Sequence, residues 1–380
     1  MIKIAIDSGP LSDGHAVRGI GVMVREQINA LKNLKTKELK RIVIENFDFQ
    51  NEDGRKKLES GEYDVVHYPY FFPYALTMPE KKQGKRMVVT IQDLIHLVYP
   101  KHYPPGIRGK INFFKQKTRL KNVDAVITIS ETSKKDIVRF LGIPAEKVHV
   151  VYLAPKKIFR RLEISDSRLA ETKNKYNLPN KFALYVGDVN FNKNIPNLIK
   201  ACRVAKIPLV ICGKQALEIE ERGVDLRTLQ GPRDWARFLF NIPHPELAHY
   251  EELLTEFKKS KSVIRTGFVP DEELAKIFNL ASVYVQPSFY EGFGLPVLEG
   301  MASGTPVVVA RTNALTEISQ DAALVVNPKD PKDMAEKINT AIRNLEVRSR
   351  LTQKGLARIK DFSWEKTARE TIKIYKEIWE

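Results

Sequence analysis

Residues 286–304, QPSFYEGFGLPVLEGMASG, restrict the fold more than any other stretch of this 380-residue chain. Val283, Tyr284 and Val285 just before it read as the end of a buried strand, and Pro296 is of the type favoured in the first turn of a helix. The segment is expected to run strand, glycine-rich turn, helix, with Glu291 on the turn and Glu299 in the opening turn of the helix. A helix N-terminus presents amides without intrahelical partners, here those around Phe293, Gly294, Leu295 and Val297, and its dipole favours an anion. The missing Cβ atoms of Gly292 and Gly294 would let a ligand approach the backbone. Ionised glutamates only accept hydrogen bonds, so Glu291 and Glu299 repel a phosphate and suit hydroxyl groups. A nucleotide sugar, with a diphosphate between two hydroxyl-bearing ends, meets these demands. On spacing alone, an ordinary strand-to-helix turn with two surface glutamates meets them too.

Elsewhere the chain repeats short β-branched runs, among them YDVVH (63–67), RMVVTIQ (86–92), DAVITI (124–129), FALYV (182–186), PLVIC (208–212) and PVVVA (306–310). Helical or loop segments separate them, which predicts parallel sheets covered on both faces, an α/β architecture. Ile20, Val24, Ile28 and Leu31 recur at helical spacing, placing Gly19 and Gly21 at the entry of the first helix. Ligands bind at the ends of parallel strands, which draws attention to His67, Gln92 and Asp93. Ser130 or Thr132 is placed to cap a helix. Lys193 follows one strand and precedes a helix starting near Pro196, so its ammonium can meet a diphosphate as a point charge; a solvated lysine is the plainer reading.

A chain of this length accommodates two domains of ordinary size. No apolar run approaches the roughly 18 residues that cross a bilayer, and MIKIAIDSG opens as a strand rather than a signal peptide, so a cytoplasmic protein is expected. Cys202 and Cys212 lie in apolar surroundings and read as reduced core thiols. The net charge of +16 is uneven: residues 1–160 hold 29 Lys and Arg against 17 Asp and Glu. Residues 101–122 carry seven basic side chains and no acidic one, interleaved with Ile107, Ile111, Phe113, Phe114 and Leu120. That pattern suits either a basic amphipathic helix lying on an anionic leaflet or a solvated basic helix. No nucleic-acid motif accompanies the charge, so nucleic acid is not the expected partner.

PSFYEGFGLPVLEGMASGTPVVVA resembles, nearly residue for residue, the nucleotide-sugar signature of the retaining glycosyltransferases of family four, and similar blocks recur over most of the chain. The resemblance implies the GT-B fold: two Rossmann-like doubly wound domains facing a cleft, with a last helix crossing back to the first. The expected domains are an acceptor-binding one over residues 1–157, completed by 362–380, and a nucleotide-sugar-binding one over 158–361. The implied reaction moves a mannose- or glucose-type hexose from a GDP- or UDP-sugar to a glycan or lipid-linked acceptor, with no further cofactor. No Asp-x-Asp sequence occurs, so no metal is expected. The family pattern gives Lys193 the leaving diphosphate, Glu291 the transferred sugar and Glu299 the ribose. Gly187, Phe268, Gly19 and Gly21 join the donor side; Gln92, standing where the family usually has histidine, with Asp93 and His96, is a candidate on the acceptor side. Glutamine cannot shuttle a proton. Asp188 and Asn192 occupy places where many members carry an arginine, leaving Arg18 as a candidate for the second phosphate cation. Residues 215–261 exceed what the family needs and are expected to be helical. A sugar-nucleotide epimerase of the same fold and a non-catalytic carbohydrate- or membrane-surface-binding module are the competing readings.

Overall fold

The computed structural model describes residues 1–11, 19–34, 42–163, 167–219 and 245–380, with the side chains of 245–247 left aside. Its contacts divide it into two compact units, Met1–Ala154 with Phe362–Glu380, and Pro155–Asp361.

The first unit is built on a six-stranded sheet of β1 (Ile2–Asp7), β2 (Ile42–Phe47), β3 (Val65–Tyr68), β4 (Arg86–Thr90), β5 (Ala125–Thr128) and β6 (Val148–Val150), in the order β2-β1-β3-β4-β5-β6. Every pairing is parallel. Such a sheet is hydrophobic on both faces because helices cover both. Val66, Met87, Val89 and Val126 join a core with Leu120, Ile137 and Leu141. Across the sheet, His67 meets the closing helix, Trp364–Trp379, where Nδ1 lies 2.6 Å from the Tyr375 hydroxyl and Nε2 2.8 Å from Thr90 Oγ1. Thr367 Oγ1 of this helix donates to Tyr152 O at 2.7 Å, and the helix packs against the first helix, Gly19–Asn33. His67 is fully buried and burial pushes its pKa down to about 3, so it is neutral and structural. Ser130 caps the helix Glu131–Asp136 by accepting from Ser133 N at 3.0 Å. The sequence reading did not anticipate β2, whose side chains are mostly half-buried at the sheet's edge.

The second unit carries β7 (Ala183–Val186), β8 (Leu209–Cys212), β9 (Val263–Gly267), β10 (Val283–Gln286), β11 (Val307–Ala310) and β12 (Leu324–Val326), again all parallel, in the order β12-β11-β10-β7-β8-β9. Alternate residues Ala183, Tyr185, Leu209, Ile211, Val283 and Val285 form one core with the helices Ile195–Ala205 and Pro331–Arg343. Both cysteines are free and buried, their thiols pushed up to about 12 by desolvation. Of the charged 215–261 segment, Gln215–Glu218 and Pro245–Lys259 are helices, and residues 220–244 lie outside the described residues. None of the described helices is long and apolar enough to cross a membrane.

Candidate functional site

The strand order of the second sheet reverses between β7 and β10, which are hydrogen-bonded neighbours. In open parallel sheets, the loops leaving such a pair diverge and leave a crevice at their C-terminal ends. The loop after β7 carries Lys193 and the loop after β10 carries Glu291.

Backbone and side-chain bonds staple the two loops together. Phe289 N donates to Asn192 O at 2.8 Å, and Asn192 Nδ2 donates to Tyr290 O at 3.2 Å. Asn194, in the left-handed region at φ 58° and buried, donates from Nδ2 to Pro287 O and Pro328 O. With the loops so tied, Lys193 Nζ reaches both oxygens of Glu291, at 2.9 and 2.8 Å. Gln286 Nε2 and Ser288 Oγ donate to Glu291 Oε1 at 2.7 and 2.6 Å. The Tyr284 hydroxyl in turn donates to Gln286. Three groups therefore fix one buried carboxylate, with Tyr284 holding one of them from behind, and its charge adds to burial in raising the Tyr284 and Tyr185 phenols well above their usual range. Gln286, Ser288 and Asn194 were not singled out in the sequence; the one signal was a run of polar residues directly following a fully buried strand.

The helix after this loop runs Leu295–Ala302 with Gly294 as its N-cap. Among the described residues the amides of Gly294 and Leu295 meet no acceptor. The structure differs on Val297, whose amide donates to Gly294 O at 2.9 Å and is not open to an anion. It differs also on the reason for Gly294. A Cβ there would stand 2.6 Å from Leu315 Cδ2, and its φ is +103°, so the missing side chain serves packing and backbone rather than ligand approach. Gly292 and Phe293 are buried in the same loop.

Glu299 is the fifth residue of that helix, so it begins the second turn rather than lying in the first. Among the described residues no hydrogen bond reaches its carboxylate. Burial, helped by the charge of Asp271 and opposed by Lys156, pushes its pKa up to about 8. Glu299 keeps 9 % of its surface exposed, so its carboxylate can still take hydrogen bonds from a ligand's hydroxyl groups. Gly187 (φ +139°) follows β7 and closes on Gly213, where a Cβ would come within 2.2 Å of Gly187 O. Phe268, after β9, is 65 % exposed.

The first-unit candidates have other partners. Gly19 opens its helix and Gly21 is buried in it, while Arg18 lies outside the described residues. Gln92 is buried, with Nε2 donating to Pro69 O at 2.8 Å. Asp93 accepts from Ile95 N at 3.1 Å. His96 sits among Phe72, Tyr103 and Tyr74, with ring centroids 4.8, 5.0 and 6.2 Å away, and burial lowers its pKa against the pull of Asp93.

Comparison with known proteins agrees with this geometry. The family "Glycosyl transferases group 1" matches residues 167–358, and "Glycosyltransferase Family 4" matches residues 47–154. The chain is 28 % identical over 327 residues to the O-antigen chain mannosyltransferase B of Escherichia coli, covering 82 % of this chain and 74 % of that protein. It is 25 % identical to the serotype-specific mannosyltransferase WbdA of Escherichia coli, over 81 % of this chain, and spans only about a third of that longer protein (36 %). Among solved structures, a sucrose-phosphate synthase from Thermosynechococcus elongatus superimposes with a TM-score of 0.70 at 20 % identity over 99 % of both chains. Both halves of the sequence and both sheets thus lead to one place: the chain belongs to the glycosyl transferases group 1, the family-four glycosyltransferases of GT-B fold.

Proposed function

We propose that the protein transfers a hexose from a nucleotide diphosphate sugar to a glycan or lipid-linked acceptor, with retention of anomeric configuration and without a metal. The observation that carries this reading is the Lys193–Glu291 pair, bridging the two loops at the point where the strand order of the second sheet reverses. A diphosphate at the Gly294 and Leu295 amides meets the positive end of the helix and an ammonium already aimed into the site. These groups do the work a divalent ion does elsewhere, so EDTA is expected to leave activity intact. Glu299 takes the ribose hydroxyls, Phe268 lies against the base, and Gly187 leaves room beside the phosphates. Glu291 faces the transferred sugar and steadies positive charge at its anomeric carbon.

The bond from that carbon to the leaving diphosphate breaks as the acceptor oxygen attacks from the same face. The acceptor's proton passes to a leaving phosphate oxygen. Gly19 and Gly21 belong with the donor phosphates, and Gln92, Asp93 and His96 to the acceptor side, where glutamine positions but moves no proton. Mannose is the favoured hexose because the similar curated proteins are named mannosyltransferases; GDP or UDP is the carrier. The place of work is the face of an anionic membrane inside the cell.

A thermal-shift panel of nucleoside diphosphates and their sugars tests donor binding, since a ligand at 100 times its dissociation constant stabilises a fold by about 2.7 kcal/mol. No shift with any GDP- or UDP-sugar overturns the proposal, and an epimerised sugar formed without acceptor turns it into an epimerase.

A further inference from the structure

The basic helix Gly106–Arg119 is turned inside out. The face it presents to its own unit is mostly polar or small, with Phe113 as its one half-buried apolar contact: Gln116 Nε2 donates to Thr77 Oγ1 at 2.7 Å, Gln116 Oε1 accepts from Met78 N at 3.2 Å, and Asn112 Nδ2 donates to Tyr74 O at 3.0 Å. Gly109 lies against Pro105 and Tyr74. The opposite face carries Ile107, Ile111 and Phe114, which are 64, 51 and 69 % exposed and stand at i, i+4 and i+7, one stripe of the helix. At 3.6 residues per turn, Arg108 and Lys115 border that stripe on one side and Lys110 on the other, all three exposed. Lys117, beyond Lys110, also donates to Phe140 O, and Arg119 is paired with Glu80.

A soluble helix stabilised by burial shows the reverse pattern. An apolar ridge between basic rows, on a segment without acidic residues from 94 to 123, complements a surface that is apolar below and anionic above. We propose that this helix docks on an anionic lipid leaflet in the plane of the interface, with Ile107, Ile111 and Phe114 in the acyl boundary and Arg108, Lys110 and Lys115 at the headgroups. The helix is also joined to the acceptor-side candidate by ring contacts, Phe114 to Phe113, Phe113 to Tyr74 and Tyr74 to His96. Docking there sets the short helix Ile95–Val98, which carries His96, close to the leaflet, where a lipid-linked saccharide presents its sugar.

This deepens the membrane part of the reading above and rests on it, but vesicle binding is measured without donor or acceptor, so its failure leaves the transferase reading standing. The test is co-sedimentation of the full chain with phosphatidylcholine vesicles, with and without phosphatidylglycerol. Binding only to the anionic vesicles, weakening with salt, is the expected result. Each basic residue near the surface contributes about a fivefold factor, so Arg108→Gln, Lys110→Gln and Lys115→Gln together should weaken binding roughly a hundredfold. Ile107→Ser, Ile111→Ser and Phe114→Ser together should weaken it more than roughly tenfold with the charge unchanged. All six positions are exposed, and an unchanged melting temperature confirms that each variant folds. The proposal is overturned by absence of binding to anionic vesicles, by equal binding to neutral ones, by variants that bind as the parent does, or by capture on duplex DNA in place of vesicles.

Discussion

Lys193 and Glu291 hold each other in position, and their removal should therefore not add. Lys193→Ala and Glu291→Ala are each expected to lower kcat/KM nearly as far as the double variant does, a coupling of about 1–3 kcal/mol in a double-mutant cycle. Glu299 stands apart from that pair and should separate in kinetics: Glu299→Ala should raise KM for the donor, and Glu291→Ala should mainly lower kcat. The opposite split in steady-state rates would refute the roles given to them. The carboxyl of Glu299 makes a second prediction. Its pKa rises from 4.5 to about 8 on folding, so its stabilising contribution is complete below 4.5 and is lost as pH climbs through about 8. The unfolding free energy of the unliganded protein, read by chemical denaturation, should fall over that window by up to about 1.4 kcal/mol per pH unit, and Glu299→Gln should flatten the slope.

Individual strands, turns and helices were legible where the local pattern and the tertiary demand coincide. The closing helix, the helix Asp271–Leu280 with Leu274, Ile277 and Phe278 buried, and the cap at Ser130 follow from periodicity and residue type. The edge strand β2 was missed because its burial does not alternate cleanly, and parallel pairing with β1 rather than its own sequence defines it. The signature turn was read correctly as strand, turn and helix, but which amides stay open could not be. That depends on Val297 curling back to Gly294, a choice of the first turn that sequence does not encode. Nor does sequence show that Gly294 backs onto Leu315 and Ile318 from the neighbouring helix Asn313–Ser319. Gly294→Ala must accept both a positive φ and a 2.6 Å contact, so a loss of about 1–3 kcal/mol in chemical denaturation is expected, with donor affinity falling as the helix start shifts.

At the scale of the molecule, the two units carry buried titrating groups that act in opposite directions. His67, in the first, is depressed from 6.5 to about 3, so its contribution is present above 6.5 and is lost as pH falls toward 3. Glu299, in the second, loses its contribution as pH rises. Calorimetry should therefore show one transition weakening as pH falls from 6.5 toward 3 and another weakening as pH rises from 4.5 to about 8, and His67→Gln should spare the first. Tyr375→Phe leaves one imidazole nitrogen without its partner and should cost the first unit about 1–3 kcal/mol while leaving the second transition in place. The first unit is also made of two stretches separated in sequence by all of the second, and the His67 face of its sheet is completed only when the closing helix arrives. On the ribosome the half that emerges earliest must consequently wait, its β3 and β4 surface bare, until the half that emerges later has been made. Assembly of the early half is thus timed by the late one, and a nascent chain stalled between them should be a chaperone client.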